Sequence, residues 1–373
     1  MTRNEVIEAI DRTKPEQLLL ELPTGFGKTK IAIDYVVKTI KCKNILVICP
    51  THSIIDNWKE ELDKWNINQN LFSFITYVSF NKPEKFIDKN YDCYIYDECH
   101  HLSINNQAVI LKYIKQLPKY QILLSATIDY TKRKELRICF PQLKTYKENL
   151  KTVIVAGEVS NPTCVLVKLQ LPKDKLEEYN RIQSEIAKYT KIYNTRKQAY
   201  AQNMLLKSKG DMLKYLADCK TDFVKKILWT YSNYRTLTFC KDIKHTEQLG
   251  KYPINSKNIE ATKNLQLFNT GKIKHITACQ QLNEGVSLHK CQIGIFAYLN
   301  SNSRIICQKI GRTLRHSKPI VYIPYYEGTR EEEIVNKILL LYFMEDKIKR
   351  FTEEEFLKKA NEKKFGKNSA NKK

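Results

Sequence analysis

Residues 21–29 of the chain read Glu-Leu-Pro-Thr-Gly-Phe-Gly-Lys-Thr, and this stretch decides the fold. The apolar residues 18–20 before it are typical of a strand, and residues 30–37 after it are typical of a helix. Glycines between a strand and a helix let backbone N–H groups point at a phosphate, and the helix N-terminus adds partial positive charge. A nucleoside triphosphate is therefore predicted to bind the loop residues Pro23, Thr24, Gly25, Phe26, Gly27, Lys28 and Thr29.

Two side chains of this loop carry its chemistry. Lys28 can reach the β- and γ-phosphates, and the Thr29 hydroxyl can bind Mg²⁺. The general motif has glycine at the position of Leu22, so the loop departs from the motif there.

The overall charge of the chain indicates a polyanionic partner. Its 373 residues carry a formal net charge of +23, which is typical of proteins that bind nucleic acid or an anionic membrane. A lysine-rich coding bias would also raise the charge, and lysine-rich faces are often only solvated. A hydrophobic share of 42% is enough for two globular domains.

The compartment is predicted from cysteines and apolar runs. No apolar run approaches the ~20 residues that span a bilayer, and the N-terminal residues lack the apolar segment of a signal peptide. The 11 cysteines include no C-x-x-C pair, and several lie in apolar runs. We therefore expect an intracellular, reducing compartment, which is the cytoplasm, the nucleus or a viral replication or virion compartment.

Strand-like and helix-like segments alternate in two blocks. The first block has strand patterns at 18–22, 44–49, 72–77, 91–96 and 121–125, with helical patterns such as 53–65 and 106–116 between them. The second has strand patterns at 236–240, 275–278, 292–298 and 320–324. Such alternation predicts an α/β fold with parallel sheets covered by helices on both faces. We place one domain at 1–155 and another at 156–345.

A basic helical element separates the blocks at about 172–229. The residues that recur at helical spacing are Tyr179, Ile182, Ile186, Tyr189 and Tyr193, and lysines and arginines fill the positions between them. This pattern favours a helical insertion that packs its tyrosines on the second domain. A basic face lying along nucleic acid is compatible with that packing.

The C-terminal region has two parts. Thr329, Arg330, Glu331 and Glu332 form a capping pattern that opens a helix. Its predicted apolar stripe consists of Ile334, Ile338, Leu341 and Met344. Residues 346–373 are predicted to form a basic, flexible tail because they become rich in lysine.

Adjacent acids end the strand pattern at 91–96. Asp97 and Glu98 follow the apolar residues directly. Triphosphate hydrolysis needs a carboxylate that holds Mg²⁺ and a group that orients water, and we assign these roles to Asp97 and Glu98. The adjacent Cys99, His100 and His101 disfavour zinc, because neighbours in sequence do not easily converge on one tetrahedral ion.

At this point the sequence resembles the superfamily 2 helicases. Asp97-Glu98-Cys99-His100 is similar to their D-E-x-H box. Further stretches between 15 and 327 match the family in order: Pro50-Thr51 (motif Ia), 75–80 (Ib), Ser125-Ala126-Thr127 (III), 237–240 (IV), 283–288 (V) and 308–315, which reads Q-x-x-G-R-x-x-R (VI).

The resemblance implies two tandem RecA-like P-loop domains and an ATP-dependent nucleic-acid helicase or translocase that uses Mg²⁺. DNA is favoured over RNA by the motif Ib pattern and the D-E-C-H sequence, and the compact core resembles helicases of phages and large DNA viruses. An RNA helicase is the alternative within the class. An ATP-gated nucleic-acid-binding switch without strand separation is the alternative outside it. Protein partners are not predicted.

The resemblance also assigns residues. It implies catalytic roles for Glu98, Gln308, Arg312 and Arg315, and metal binding by Thr29 and Asp97. It implies that ATP hydrolysis is coupled to movement through His100, Ser125 and Thr127. It places Thr51, Thr76, Gly285 and Ser287 near the nucleic-acid backbone. The sequence departs from the family at Ser287, where Asp is frequent, and at Asn4, where an adenine-reading glutamine is frequent.

The arginine pair has a physical rationale of its own. Arg312 and Arg315 are three positions apart and would share one helix face. Guanidinium groups match the charge that spreads over the departing γ-phosphate. Because these arginines belong to the second block and Lys28 to the first, hydrolysis is expected to require closure of the two domains.

Overall fold

The computed structural model of the chain describes residues 2–255, 257–279, 288, 291–302, 305–306, 309–311 and 316–370, with the backbone alone over 363–370. The chain divides into two units, with the boundary between Val159 and Ser160. This boundary follows the predicted one by a few residues, because Glu158 contacts Arg3 at the start of the first unit.

Unit 1 is an α/β domain. Its helices are α1 (Arg3–Thr13), α2 (Lys28–Asp34, continued by a π turn at Tyr35–Thr39), α3 (His52–Lys64), α4 (Tyr77–Phe80), α5 (Ile104–Lys112), α6 (Tyr130–Cys139) and α7 (Leu150–Val155). Its strands are β1 (Gln17–Glu21), β2 (Ile45–Cys49), β3 (Phe72–Thr76), β4 (Cys93–Tyr96), β5 (Tyr120–Ser125) and β6 (Lys144–Lys147).

The strand order of unit 1 positions the site. The six strands run in the order β3-β2-β4-β5-β1-β6, and every pair is parallel. Strands β2, β4 and β5 are almost wholly buried because helices cover both faces of the sheet. Parallel strands end at one edge, so the segments that follow β1, β4 and β5 come together there.

Unit 2 is also an α/β domain. Its helices are α8 (Leu176–Arg196), α9 (Ala199–Cys219), α10 (Thr221–Thr230), α11 (Ile243–Leu249), α12 (Ala261–Asn269), α13 (Arg330–Tyr342) and α14 (Glu353–Ala370). Its strands are β7 (Thr163–Leu169), β8 (Thr236–Phe239), β9 (Pro253–Ile254), β10 (His275–Ala278), β11 (Ile293–Phe296), β12 (Ile320–Tyr326) and β13 (Ile348–Thr352). They form a parallel sheet in the order β13-β7-β12-β11-β8-β10-β9.

The predicted fold class of two parallel-sheet domains is confirmed. The predicted helical insertion corresponds to α8, α9 and α10. As expected, Ile182 is buried in the core of unit 2, and Tyr179 and Ile186 pack against it. Tyr189 instead meets Tyr200 of α9 edge-on, with ring centroids 6.4 Å apart.

The C-terminal region differs from its prediction. Residues 346–373 were expected to form a flexible tail, but β13 pairs in register with β7, and Phe356 and Ala360 of α14 are buried in the core. The prediction fails because only a few apolar residues, set among many charged ones, make these contacts. A composition of this kind is typical of disordered segments.

Helix α13 begins where the sequence predicts, but the face that it buries differs from the predicted apolar stripe. The Thr329 hydroxyl accepts a hydrogen bond from Glu331 N at 3.2 Å. Ile334 and Ile338 are buried as expected, together with Val335 and Tyr342. Leu341 was wrongly included in the stripe, because it points outward and is 49% exposed.

Within the described part of the chain, no helix is both long enough and apolar enough to cross a membrane.

Candidate nucleotide-binding site

The loop after β1 has the backbone shape that a phosphate requires. Gly25 and Gly27 adopt φ angles of 91° and 95°, which residues with a Cβ rarely adopt. Phe26 N donates to Pro23 O at 3.2 Å, which closes the turn between them. Gly25 is exposed at the mouth of the loop, and Gly27 precedes the first turn of α2. Backbone N–H groups at such a helix N-terminus favour an anion.

Leu22 explains the departure from the general loop motif. It is fully buried, and its N–H donates to Ser125 O at 3.1 Å, which continues the pairing of β1 with β5. Its carbonyl accepts a hydrogen bond from Lys28 Nζ at 3.1 Å. The buried leucine side chain therefore anchors the start of the loop in the core, and the backbone of the same residue supports the lysine.

Lys28 and Thr29 open α2, where the sequence predicts their contacts with phosphate and Mg²⁺. Both are half-buried. The charge of Lys28 lowers the pKa of Asp97, which shows that the lysine and the predicted metal ligand share one electrostatic environment.

Arg3 supports the loop from α1. Its Nε donates to Phe26 O at 2.8 Å, and its guanidinium lies 5.9 Å from the centre of the Phe26 ring. The carboxylate of Glu158 accepts a hydrogen bond from Arg3 N at 2.9 Å and lies 3.5 Å from Arg3 Nη2. A Cβ on Gly27 would come within 3.3 Å of Arg3 Nε, so the arginine needs glycine there. Arg3 thus connects the loop to the last residues of unit 1.

Asp97 lies at the end of β4 and is almost fully buried. Trp58 Nε1 donates to its Oδ2 at 2.7 Å, and Glu98 N donates to its Oδ1 at 2.9 Å. Burial, and next the charge of Glu98, raise the pKa of Asp97 to about 6, although Trp58 and Lys28 act in the opposite direction. A buried carboxylate with a raised pKa gains from a nearby cation.

Glu98 has a strained backbone and an incompletely satisfied side chain. Its φ is 46°, in the left-handed region that costs a non-glycine residue on the order of 1–3 kcal/mol at a strained site. Its Oε2 is buried and accepts no hydrogen bond from the described residues, although His100 Nδ1 lies 3.4 Å away. Such a carboxylate has acceptor capacity left for water or a ligand.

The predicted coupling residues contact one another. His100 Nδ1 lies 3.0 Å from Ser125 Oγ, and Ser125 Oγ donates to Thr127 O at 3.1 Å. This chain joins the turn after β4 to the turn after β5. Two hydrogen bonds therefore connect His100, whose Nδ1 lies 3.4 Å from Glu98 Oε2, with the segment of residues 125–127.

These residues fit a magnesium–nucleotide ligand. The loop offers backbone N–H groups at the start of α2 and a lysine, and Asp97 offers a carboxylate whose pKa burial raises. The Glu98 oxygen without a hydrogen bond lies beside it. Carboxylate and hydroxyl oxygens are hard ligands that suit Mg²⁺.

The predicted nucleic-acid residues have different surroundings. Thr51 follows β2 and is exposed, so its hydroxyl is accessible. Thr76 is buried, and its hydroxyl caps α4 by accepting a hydrogen bond from Ser79 N at 3.2 Å. The prediction for Thr76 missed this cap, which leaves its hydroxyl less available to a phosphate. Five other predicted residues lie outside the described residues: Gly285, Ser287, Gln308, Arg312 and Arg315.

Some residues of the site were not predicted. Trp58 and Tyr77 both hold Asp97, the latter through a 2.9 Å hydrogen bond from its hydroxyl to Asp97 O. Glu21 is buried at the end of β1, where Arg133 pairs with it and Ile128 N donates to it at 3.3 Å. Glu21 could have been predicted from the sequence, because a charged residue at the end of an otherwise apolar strand indicates a functional or paired position. The sequence contains no comparable signal for Trp58.

Two family models match the chain. Residues 2–130 match the type III restriction enzyme res subunit, and residues 213–317 match the helicase conserved C-terminal domain. The second match spans the predicted arginine pair. The chain is 22% identical over 337 residues to the DNA 3′-5′ translocase XPB2 of Sulfurisphaera tokodaii, which covers 81% of this chain and 75% of that protein.

Solved helicase structures share the fold. The Hef helicase domain of Pyrococcus furiosus is 15% identical, with a TM-score of 0.56 over 89% of this chain and 97% of that one. S. cerevisiae Dbp5 bound to RNA and ADP BeF3 is 12% identical, with a TM-score of 0.64 over 96% of this chain and 91% of that one. None of these relatives is a viral protein, so the viral character stays a prediction.

One family match falls in each unit, in the order that the motifs predict, and the translocase relative aligns across most of the chain. The chain therefore belongs to the superfamily 2 helicases and is an ATP-dependent helicase or translocase.

Proposed function

We propose that the chain moves along DNA and hydrolyses Mg²⁺-bound ATP at the carboxyl edge of the unit 1 sheet. The observation that carries the choice of DNA is the alignment with a DNA 3′-5′ translocase over 81% of the chain. The likeness to an RNA-bound structure is one of fold alone, at 12% identity, and does not favour RNA.

The proposal gives each described residue a role. N–H groups of the loop and the Lys28 ammonium hold the phosphates, because both present positive charge at the start of α2. Glu98 orients the attacking water and takes up its proton, since its Oε2 accepts no hydrogen bond within the described chain. Gln308, Arg312 and Arg315 keep the roles that the motif predicts for them.

Asp97 and Thr29 would hold Mg²⁺. When bound, the ion neutralises charge on the phosphate oxygens. Trp58 donates to the Asp97 carboxylate and keeps it in one orientation, and Tyr77 donates to the Asp97 backbone carbonyl and holds the main chain there. The hydrogen bonds from His100 through Ser125 to Thr127 would pass a change at Glu98 to the next strand end.

Nucleic acid would contact the hydroxyl-bearing turns that follow β2 and β3 at the same edge of the sheet. Thr51 supports this because it is exposed at the end of β2, and the net charge of +23 favours a polyanion. Backbone contacts carry no base information, so we expect binding with little sequence preference.

An ATPase assay with different activators tests the proposal. The full chain would be supplied with Mg²⁺ and ATP, alone and with single-stranded DNA, duplex DNA, forked DNA or single-stranded RNA of matched length. We expect DNA to stimulate turnover more than RNA does. Stronger stimulation by RNA would reverse the choice of substrate, and ATP hydrolysis that no nucleic acid changes would contradict the proposed coupling.

Two further assays separate movement from switching. Displacement of streptavidin from the ends of single-stranded DNA measures translocation, and we expect movement in the 3′-to-5′ direction, as in the relative's name. A forked duplex measures strand separation. DNA-stimulated hydrolysis with neither displacement nor separation would instead identify an ATP-gated binding switch.

We also propose a reducing, intracellular compartment. Nine of the ten cysteines in the described ranges are buried, which suits thiols that act as small apolar side chains.

A further inference from the structure

Helices α8 and α9 form a hairpin whose two halves have different environments. Each helix has 21 residues and is therefore about 31 Å long. At the base, Ile182 and Ile186 of α8 and Met212 and Leu216 of α9 join the core of unit 2. Among the residues described in that core, none comes from 187–211. We call residues 186–210 the arm; it begins at Ile186, the boundary residue that still contacts the core, and its buried side chains include Ala201 and Leu205.

The arm is uniformly basic, whereas the base of the hairpin is not. Within 186–210 the sequence has no acid and six cations, which are Lys188, Lys191, Arg196, Lys197, Lys207 and Lys209. At the base, Arg181 pairs with Glu178 and Glu185 at 2.7 and 2.6 Å, and Lys214 pairs with Asp211 at 3.3 Å. A general excess of lysine would not separate acids from bases along one hairpin.

The cations of the arm are available to a partner. All except the half-buried Lys209 are exposed, and none pairs with a carboxylate in the described ranges. Six like charges on a short hairpin repel one another, and a polyanion relieves that repulsion. Charge complementarity therefore points to nucleic acid, which the proposed function already brings to this protein.

The tyrosines of the arm favour phosphate contacts over base stacking. Lys188 Nζ lies 5.8 Å from the centre of the Tyr189 ring, and Lys197 Nζ lies 5.1 Å from that of Tyr193. Tyr200 meets Tyr189 edge-on. Because these rings already have cation and ring partners, they are poor platforms for unpaired bases. A duplex needs no such platform and offers a denser phosphate surface than a single strand.

The dimensions also suit a duplex backbone. The part of α8 in the arm is about 16 Å long. The phosphates of one strand of duplex DNA are spaced about 3.4 Å along the helix axis, so this length, laid along the axis, spans roughly five base-pair steps. Cations on both helices of the arm can therefore contact several phosphates at once.

We propose that the arm is a second DNA-binding surface, which holds duplex DNA by its phosphates without reading its sequence. This inference rests on the proposed function but assigns the contact to residues of unit 2 that the proposed function does not use. Its role is to hold the duplex part of a forked or tailed substrate.

A charge-matched pair of variants tests the arm. The arm variant combines Lys191→Gln, Arg196→Gln and Lys207→Gln. The control combines Lys214→Gln, Lys225→Gln and Lys263→Gln, which removes the same charge from exposed lysines that already pair with Asp211, Asp222 and Glu260. Binding to a blunt duplex, a single strand and a fork would be measured as a function of salt, with thermal unfolding as a check on folding.

We expect the arm variant to bind the blunt duplex at least about tenfold more weakly at low salt. The slope of log affinity against log salt should become shallower by up to about 2.7, from three contacts at 0.9 each. Single-strand binding should change less, and the control should resemble the wild type. Equal losses in both variants, or a larger loss for the single strand, would overturn the proposal.

Crosslinking provides a measurement that does not depend on removing charge. A photo-crosslinking amino acid in place of the exposed Asn194 should capture duplex DNA, whereas the same group in place of Lys263 should not. If the wild type binds DNA but position 194 never crosslinks, the arm inference fails and the proposed function stands. If the wild type binds no nucleic acid, the proposed function itself fails.

Discussion

Buried charges occur in both units, but their partners differ. In unit 2, Lys220 and Glu331 are fully buried and pair with each other, and Lys220 Nζ also donates to Pro324 O at 3.2 Å. In unit 1, Asp97 and Glu98 are two acids side by side, and Glu98 Oε2 lacks a hydrogen bond within the described chain. The pair in unit 2 is complete without a ligand. The acids in unit 1 leave charge and acceptor capacity for one.

The comparison predicts that charges at the unit 1 edge affect activity and that the unit 2 pair affects stability. Lys28→Ala should give the largest effect, with ATP hydrolysis falling to background. The lysine donates only to Leu22 O within the described chain, so the free energy of unfolding should fall by only about 1 kcal/mol. A steady-state ATPase assay and thermal unfolding measure the two effects. The control is Lys38→Ala, at an exposed position in the π turn that continues α2. Full turnover in Lys28→Ala would contradict the loop assignment.

Glu98→Gln should slow hydrolysis by about 10²–10⁴-fold while ATP still binds, because the amide cannot take up a proton from water. Binding of a fluorescent ATP analogue and single-turnover hydrolysis separate the two steps. Removing the charge beside Asp97 should also leave the protein at least as stable as the wild type. Rapid turnover would mean that another group orients the water, and Glu84→Gln at an exposed position serves as the control.

Lys220→Met should lower the free energy of unfolding by about 3–5 kcal/mol, because it leaves the Glu331 carboxylate buried without its partner. The double variant Lys220→Met with Glu331→Leu should recover most of this loss, since it removes both charges. Urea unfolding measures each variant. A double variant as unstable as the single one would show that packing, and not the unpaired charge, sets the cost.

Arg3→Ala should have the smallest effect, an increase in the KM for ATP of about fivefold with a smaller change in kcat. The substitution removes the hydrogen bond to Phe26 O, and a bond of this kind contributes about 1 kcal/mol. Arg12→Ala, on the same helix but away from the loop, is the matched control. An unchanged KM would show that the loop keeps its shape without Arg3.

The sequence predicts most interior strands of both sheets, because strands buried on both faces must be continuous apolar runs. It misses β7 (Thr163–Leu169), although this strand is interior and almost wholly buried. It does not predict β6 (Lys144–Lys147) or β13 (Ile348–Thr352), whose exposed lysines interrupt any such run. These strands lie at the ends of their sheets, where one side of the backbone has no strand partner and polar residues are tolerated.

The residues of the site also divide into those that the sequence predicts and those that it does not. The loop and the acids at 97 and 98 are predictable because their chemistry requires fixed residue types at short spacing. Trp58 and Arg3 are not, because each acts on a residue 39 or 23 positions away and only the fold brings the pairs together. The buried cap at Thr76 was missed for a related reason, since the same hydroxyl serves a helix as easily as a phosphate.

The pairing of β13 with β7 has a consequence during synthesis. β7 opens unit 2, but β13, its neighbour on one side, follows roughly 180 residues later and leaves the ribosome about 10–35 s after it at ordinary elongation rates. Throughout that interval one edge of β7 lacks its native partner and can pair with a strand of another unfolded chain. The nascent protein is therefore most exposed to aggregation while unit 2 is being made, and a chaperone that protects a single strand edge would raise its yield.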